Sequence, residues 1–254
     1  MGSSGLDWRS TGWRVVLLGW VLGVHVAVWG GVGASDVRLR RSEGTGIRPA
    51  EKPAYALPDG SRVLFAGDSI VRNVYWALVS MVNGTFPPFV FNHDSQITPV
   101  EGGGRVDYCW IDFATGAEGV LRICPPQSWT VIGFGLWDIL HVHNLSSYGA
   151  AVDRTLSLLR RAGGVEKVVV RNLPPVVPGR MHDTNKLRFM NNTIIREYNS
   201  LILRYFRHHR TTSWYYFDAY SFYSDSADRC IDGVHYTLDV VARDALHIFR
   251  TLTA

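Results

Sequence analysis

RVLFAGDSIVRN, from Arg62 to Asn73, decides how the rest of the chain is read. Its first half is a continuous apolar run closing on Gly67, the pattern of a strand buried on both faces. Its second half opens a helical pattern, with apolar residues at 70, 71, 74, 75, 78, 81 and 82. Asp68 and Ser69 fall where strand turns into helix. There a serine hydroxyl faces a crevice, and free backbone N–H groups can face a developing oxyanion. Ser and Asp are also favoured N-caps, so this run taken alone supports a plain helix start as readily as a nucleophile.

Strands and helices alternate outward from it. Trp129–Gly133, Lys167–Val170 and Trp214–Phe217 read as further strands. Ser69–Val82, Ser146–Ala162, a long amphipathic stretch over 185–207 and Leu238–Leu252 read as helices. The stretch VDYCWIDFATGAEGVLRIC predicts a hairpin turning at Gly116-Ala117, and Gly102–Gly104 a loop. Such alternation implies an α/β fold of three layers, a mainly parallel central sheet between helices, with its crevice at the carboxyl ends of the strands.

The 254 residues suit one mid-sized domain with an appendage, and 46% hydrophobic residues against 19% charged exclude wholesale disorder. A net charge of +4 on scattered arginines is no nucleic-acid signature. Val15–Ala34 runs twenty residues without a formal charge, long enough to cross a bilayer as an N-terminal hydrophobic helix. Val32-Gly33-Ala34 before Ser35 also resembles a signal-peptidase site, so a signal anchor and a cleaved signal peptide both fit. The organisation expected is a leader over 1–34, a Gly-, Pro- and charge-rich stem over 35–60, and a functional domain over 61–254.

Three N-glycosylation sequons, at Asn83, Asn144 and Asn191, fit a secretory-lumen domain. The hairpin register would place Cys109 opposite Cys124 and favour a bridge worth roughly 3 kcal/mol, leaving Cys230 free. A bridge from Cys230, or three reduced core cysteines, are the alternatives.

The far end of the chain changes the weight of Ser69. Asp232-Gly233-Val234-His235 precedes the last helix. A serine alcohol needs an imidazole to take its proton, and the imidazole needs a carboxylate to fix its tautomer and stabilise its cation. Asp232 and His235, three apart, can offer both to a serine on a neighbouring strand end.

With GDS near the start and Asp-x-x-His near the end, the chain resembles the GDSL/SGNH superfamily, and within it the PC-esterase group. That group includes the trichome-birefringence-like polysaccharide O-acetyltransferases and the luminal sialate and capsule O-acetylation proteins. The likeness continues through Arg72-Asn73, Gly135-Leu136-Trp137-Asp138, Leu173-Pro174-Pro175 and Tyr198-Asn199, spanning about residues 62–250. It implies a three-layer αβα SGNH-hydrolase-like domain with Ser69, Asp232 and His235 as the triad, and Asp68, Arg72, Asn73, Trp137 and Asp138 as oxyanion or substrate residues. One departure stands out. Trp137 occupies the slot where many SGNH enzymes carry an oxyanion-hole asparagine, leaving Asn73, Arg72 or a glycine of the 102–104 run as the replacement donor.

His141 and His143 alternate as if on one strand face, without a third ligand at metal spacing, and His208-His209 reads as a solvated helix end. No metal or bound cofactor is expected. The first functional expectation is a luminal O-acyltransferase, an acetyltransferase on glycan hydroxyls working through a Ser69 ester. The residues do not name its acyl donor, of which an acetyl ester and acetyl-CoA are examples, nor a membrane partner that would supply acyl groups. It would be a single-pass type II membrane protein of the Golgi or ER lumen, or a secreted one if the leader is cleaved. The alternatives are an acylesterase acting on glycans or lipids and a non-catalytic glycan-binding domain.

Overall fold

The structure, a computed structural model, describes residues 55–84 and 95–254. The apolar leader, residues 35–54 of the stem and Thr85 of the first sequon lie outside the described residues.

Strand β1 (Arg62–Gly67) is buried from Val63 onward. Helix α1 (Ser69–Asn83) follows at once, capped by Asp68, whose carboxylate accepts from the Ile70 N–H at 3.0 Å. The chain continues through β2 (Gln96–Val100), β3 (Gly104–Trp110), α2 (Ala117–Ile123), β4 (Trp129–Gly133), α3 (Leu145–Arg161) and β5 (Lys167–Arg171). Then come α4 (Thr184–Phe189), α5 (Asn192–His209), β6 (Trp214–Phe217), α6 (Ala219–Ser224) and α7 (Leu238–Thr253).

The six strands form one sheet in the order β2-β3-β1-β4-β5-β6, parallel except for the antiparallel edge strand β2. Because side chains alternate along a strand, Val63 and Phe65 join α1 and α7 in one apolar layer, while Leu64 and Ala66 join α3 and α5 in the other. Burial on both faces is why the central strands read as unbroken apolar runs. From β1 the chain crosses to β3 on one side, then to β4, β5 and β6 on the other, so the topological switch point lies at the carboxyl end of β1. Gly67 and Gly133 pair in register there, and a Cβ on Gly67 would stand 2.1 Å from the Gly133 carbonyl oxygen. No other residue type fits.

The expected hairpin between Cys109 and Cys124 is not formed. β3 ends at Trp110, a 3-10 turn covers Ala114–Gly116, and α2 follows. Ala114, Ala117 and Leu121 are buried at helical spacing, and Gly116 is right-handed rather than at the positive φ a type II′ turn requires. The long helix expected over 185–207 is two helices. Met190 and Asn191 are extended, and the Asn191 side chain caps α5 by accepting from the Thr193 and Ile194 N–H groups. His141 lies in a single π-helical turn, Asp138–Val142, and His143 caps it in the left-handed region, so the two share no strand face. His209 is buried against Asp153, with 2.6 Å between Nε2 and Oδ1, so only His208 of that pair is solvated. The edge strand β2 and the short α6 had no counterpart in the sequence reading.

An ion pair sits inside the layer beneath α7. Arg171, at the end of β5, bonds Asp244 of α7 through Nη2 at 2.5 Å and Nε at 3.2 Å, and the Tyr223 hydroxyl donates to the same carboxylate oxygen at 2.7 Å. Both charged side chains are almost wholly excluded from water. Removing one partner strands the other, so Arg171→Met is expected to lower stability by about 3–5 kcal/mol. The double variant Arg171→Met/Asp244→Leu should recover most of that loss, as read by urea unfolding.

Candidate active site

Ser69 is the first residue of α1, half-buried at the switch point. Its Oγ lies 2.8 Å from His235 Nε2, and His235 Nδ1 lies 2.8 Å from Asp232 Oδ2. Asp232 Oδ1 accepts from the Val234 and His235 N–H groups at 3.0 and 2.8 Å, folding the Asp-x-x-His segment back on itself. Gly233 makes that turn at a φ of 89°, where a Cβ would stand 2.3 Å from the Met181 side chain. Burial opposes charge on Asp232, but the hydrogen bond and charge of His235 outweigh it and hold the carboxyl well below its ordinary range. With Asp232 ionised, Nδ1–H donates to it, leaving Nε2 to accept the Ser69 proton. The structure thus brings together Ser69, Asp232 and His235 from opposite ends of the chain.

The histidine segment is held from behind. Val177 N–H donates to the Gly233 carbonyl at 2.9 Å, and the Tyr236 hydroxyl donates to the Pro175 carbonyl at 2.8 Å. The proline-rich segment is in turn clamped by α5. Asn199 pairs with both backbone groups of Leu173, and Asn192 with both of Val176, each contact 2.8–2.9 Å long. Prolines cannot offer N–H groups to a sheet, so side-chain amides serve the remaining backbone polar groups here.

A cleft of about 210 Å³ opens beside Ser69 and His235, lined by Leu136, Trp137, Leu140, Lys186, Met190 and Val234. Trp137 therefore stands at the site, stacked on His141 with 5.2 Å between centroids. Lys186 and Met190 escaped the sequence reading because a continuous helix over 185–207 carries no break to turn them inward. The Asn-Asn-Thr cap signal was the available clue.

Arg72 and Asn73 follow Ser69 by three and four residues on the same side of α1. The Arg72 guanidinium lies over the rings of Trp76 and Trp110, 4.7 and 5.4 Å from their centroids. The glycine run 102–104 is at the opposite end of the sheet. Gly104 adjoins Ser61 at the start of β1, a strand length or about 20 Å from its carboxyl end, so these glycines cannot donate to an oxyanion at Ser69.

Asp68 and Asp138 are both buried carboxyls. Asp68 accepts from the Ile70 N–H, yet burial pushes its pKa up. Asp138 Oδ2 accepts from the Ala114 N–H at 2.9 Å, which fastens the turn before α2 to the segment carrying Trp137. Cys109 and Cys124 form a disulfide, joining β3 to the end of α2 rather than the arms of a hairpin, and Cys230 is buried and unbridged. Asn144 caps α3 through its side-chain oxygen, as Asn191 caps α5, whereas Asn83 donates its side-chain N–H to the Pro99 carbonyl. Among the described residues no helix is long and apolar enough to cross a membrane.

A six-stranded, mainly parallel sheet between helical layers, with a serine after β1 and an Asp-x-x-His segment before the last helix, is the GDSL/SGNH-hydrolase fold, and the likeness read from the sequence, to its PC-esterase-like branch, stands. In sequence the chain is similar to Protein ALTERED XYLOGLUCAN 9 of Arabidopsis thaliana, 25% identical over 226 residues that cover 76% of this chain. The match spans only 60% of that relative's length. Among solved structures, a mutant of Axe2, an acetyl-xylooligosaccharide esterase from Geobacillus, aligns with a TM-score of 0.51 at 14% identity over 79% of this chain and 97% of its own. A candidate GDSL-like lipase from Parabacteroides merdae aligns with a TM-score of 0.53 at 12% identity, covering 77% and 98%. No protein-family model matches the chain.

Burial above all, with the nearby charges of Asp68 and Asp112 adding to it, raises Asp138 from an ordinary 3.8 to about 6. The folded protein then holds this proton more tightly than the unfolded chain, so stability falls as pH rises from about 4 to about 6, and the penalty is complete above that. Asp138→Asn keeps an acceptor for the Ala114 N–H without the charge. It should be more stable than the parent at pH 7 by up to about 3 kcal/mol and equal to it below pH 4, as measured by chemical denaturation across pH.

Proposed function

We propose that this protein moves acyl groups, in the first instance acetyl, onto glycan hydroxyls through an ester on Ser69. The observation that carries the reading is the relay Ser69–His235–Asp232 opening on the cleft beside Trp137. The likeness to a relative named for altered xyloglucan supports a glycan as the second substrate.

The chemistry divides one difficult step into two. Ser69 Oγ attacks the carbonyl carbon of the acyl donor while its proton passes to His235 Nε2. The bond from that carbon to the donor's leaving atom breaks, and the leaving group takes the proton. A glycan hydroxyl then attacks the acyl carbon, gives its proton to Nε2, and Ser69 Oγ departs and recovers it. Asp232 stabilises the imidazolium in both halves. Hydrolysis by the same acyl-enzyme differs only in that water attacks. The Ser69 N–H, at the start of α1, and Arg72 or Asn73 are the oxyanion donors we assign. The domain works in the secretory lumen, held to the membrane by the leader or released from it, with glycans on its sequons. A membrane partner supplies the acyl groups.

A serine-directed fluorophosphonate should label Ser69, as located by peptide mapping, and the label should vanish in His235→Ala. With a chromogenic acetyl ester, Ser69→Ala and His235→Ala are expected to lose nearly all turnover, and Asp232→Asn about 10⁴-fold. Because Asp232 stays ionised as pH falls, loss of activity on acidification should follow a single proton. Robust turnover by Ser69→Ala would return the GDS run to a helix cap. Adding oligosaccharide and weighing products by mass spectrometry separates transfer from hydrolysis.

Glycan occupancy gives the test of location. Among the described residues the amide nitrogens of Asn144 and Asn191 make no hydrogen bond while their oxygens cap helices, whereas that of Asn83 is bonded to Pro99. Peptide mapping of protein expressed through a secretory pathway should find Asn144 and Asn191 glycosylated, and Asn83 at lower occupancy. A wholly unglycosylated product would overturn the luminal reading.

A further inference from the structure

We infer that the cleft binds a substrate carrying an oxyanion group, a carboxylate or a phosphate, through Lys186. The inference rests on the proposed function for the identity of the cleft, and concerns what enters it.

Lys186 stands on α4, the short helix that the break at Met190–Asn191 separates from α5. With that break, Lys186 and Met190 line the cleft together with Ser69 and His235. Beyond the His235 imidazole, the other walls are Leu136, Trp137, Leu140, Met190 and Val234, so Lys186 is the one permanently charged side chain lining the cleft among the described residues. An ammonium carries three donors. Among the described residues Nζ makes no hydrogen bond, and its one charged neighbour is Asp232 Oδ2, 3.9 Å away.

That neighbour makes the placement informative. Asp232 Oδ2 already receives His235 Nδ1–H, and its charge is what stabilises an imidazolium. A second cation beside the same oxygen works against the imidazolium, so Lys186 weakens the relay if it acts on Asp232 alone. A negative group on the substrate, entering the cleft, reverses the balance. It takes up the idle donors and neutralises the ammonium while the imidazolium forms. An apolar wall around a single ammonium also strengthens that contact relative to open solvent.

Two sources share this chemistry: an acidic sugar of the acceptor glycan and the phosphate of an activated acyl donor. The experiment uses the full chain as Ser69→Ala, so that ligands bind without turnover, with Lys186 intact or changed to Met or Arg. Affinities are measured by calorimetry for an oligogalacturonide, for coenzyme A and for a neutral oligosaccharide, and each variant's thermal unfolding is recorded. Lys186→Met should weaken one of the two anionic ligands about tenfold while moving the neutral one less than about twofold, and Lys186→Arg should restore it. The ligand that responds identifies the source, and its affinity should fall with added salt. Equal effects on all three ligands, no effect on either anion, or no binding of either anion by the Lys186-intact protein would overturn the inference. Absence of fluorophosphonate labelling and of ester turnover in the parent protein, with Ser69 intact, would instead sink the catalytic reading, which these affinities do not touch.

Discussion

The backbone of Gly67 rests against that of Gly133, and the candidate site depends on this contact. A side chain at Gly67 would collide with the Gly133 carbonyl and with Val71 of α1, so the close approach fixes how near β1 comes to β4 and how steeply α1 leaves the sheet. The Gly67 carbonyl is meanwhile held by the Ile111 N–H and the Tyr108 hydroxyl. The strand end is thereby anchored on both sides. Ser69 emerges at the switch point with its direction set by backbone packing rather than by its own contacts.

His235 is positioned from the other side of the molecule. The buried pair of Arg171 and Asp244 ties the end of β5 to α7, and α7 follows directly on the Asp-x-x-His segment. The same segment is pinned by Val177 and Tyr236 to the proline-rich stretch, which Asn192 and Asn199 clamp to α5. None of these side chains hydrogen-bonds the Ser69 hydroxyl, whose partner among the described residues is His235. Together they hold the Ser69–His235 distance at 2.8 Å across 166 residues of sequence. Buried charge is a costly way to build such a frame, because losing either partner strands the other without water.

The parts of the fold that were legible share one property: their pattern is local. RVLFAG, WTVIG and WYYF announce strands because both faces of each are buried, and the helices α1, α3 and α7 announce themselves by an apolar stripe. The misread segments were those where two local signals compete. Gly116 suggested a turn, but Ala114, Ala117 and Leu121 had a helical core position to fill, and Asp138 was in place to accept from the Ala114 N–H. The stretch 185–207 kept a helical period across Met190 and Asn191, and the Asn191 cap, with Asn192 engaged on Val176, broke it.

By itself the sequence determined the α/β class, the order of most elements and the residue types of the relay, because strand burial, helical periodicity and the need of a serine for an imidazole and a carboxylate are written in neighbouring residues. Only the tertiary structure decided which ends of the sheet those residues reach. It set the glycines of 102–104 at the far end from Ser69, joined Cys109 to a helix, and turned Lys186 into the cleft. The reason is physical. Strand order and helix breaks are fixed by contacts between residues far apart in sequence, and no local pattern records them.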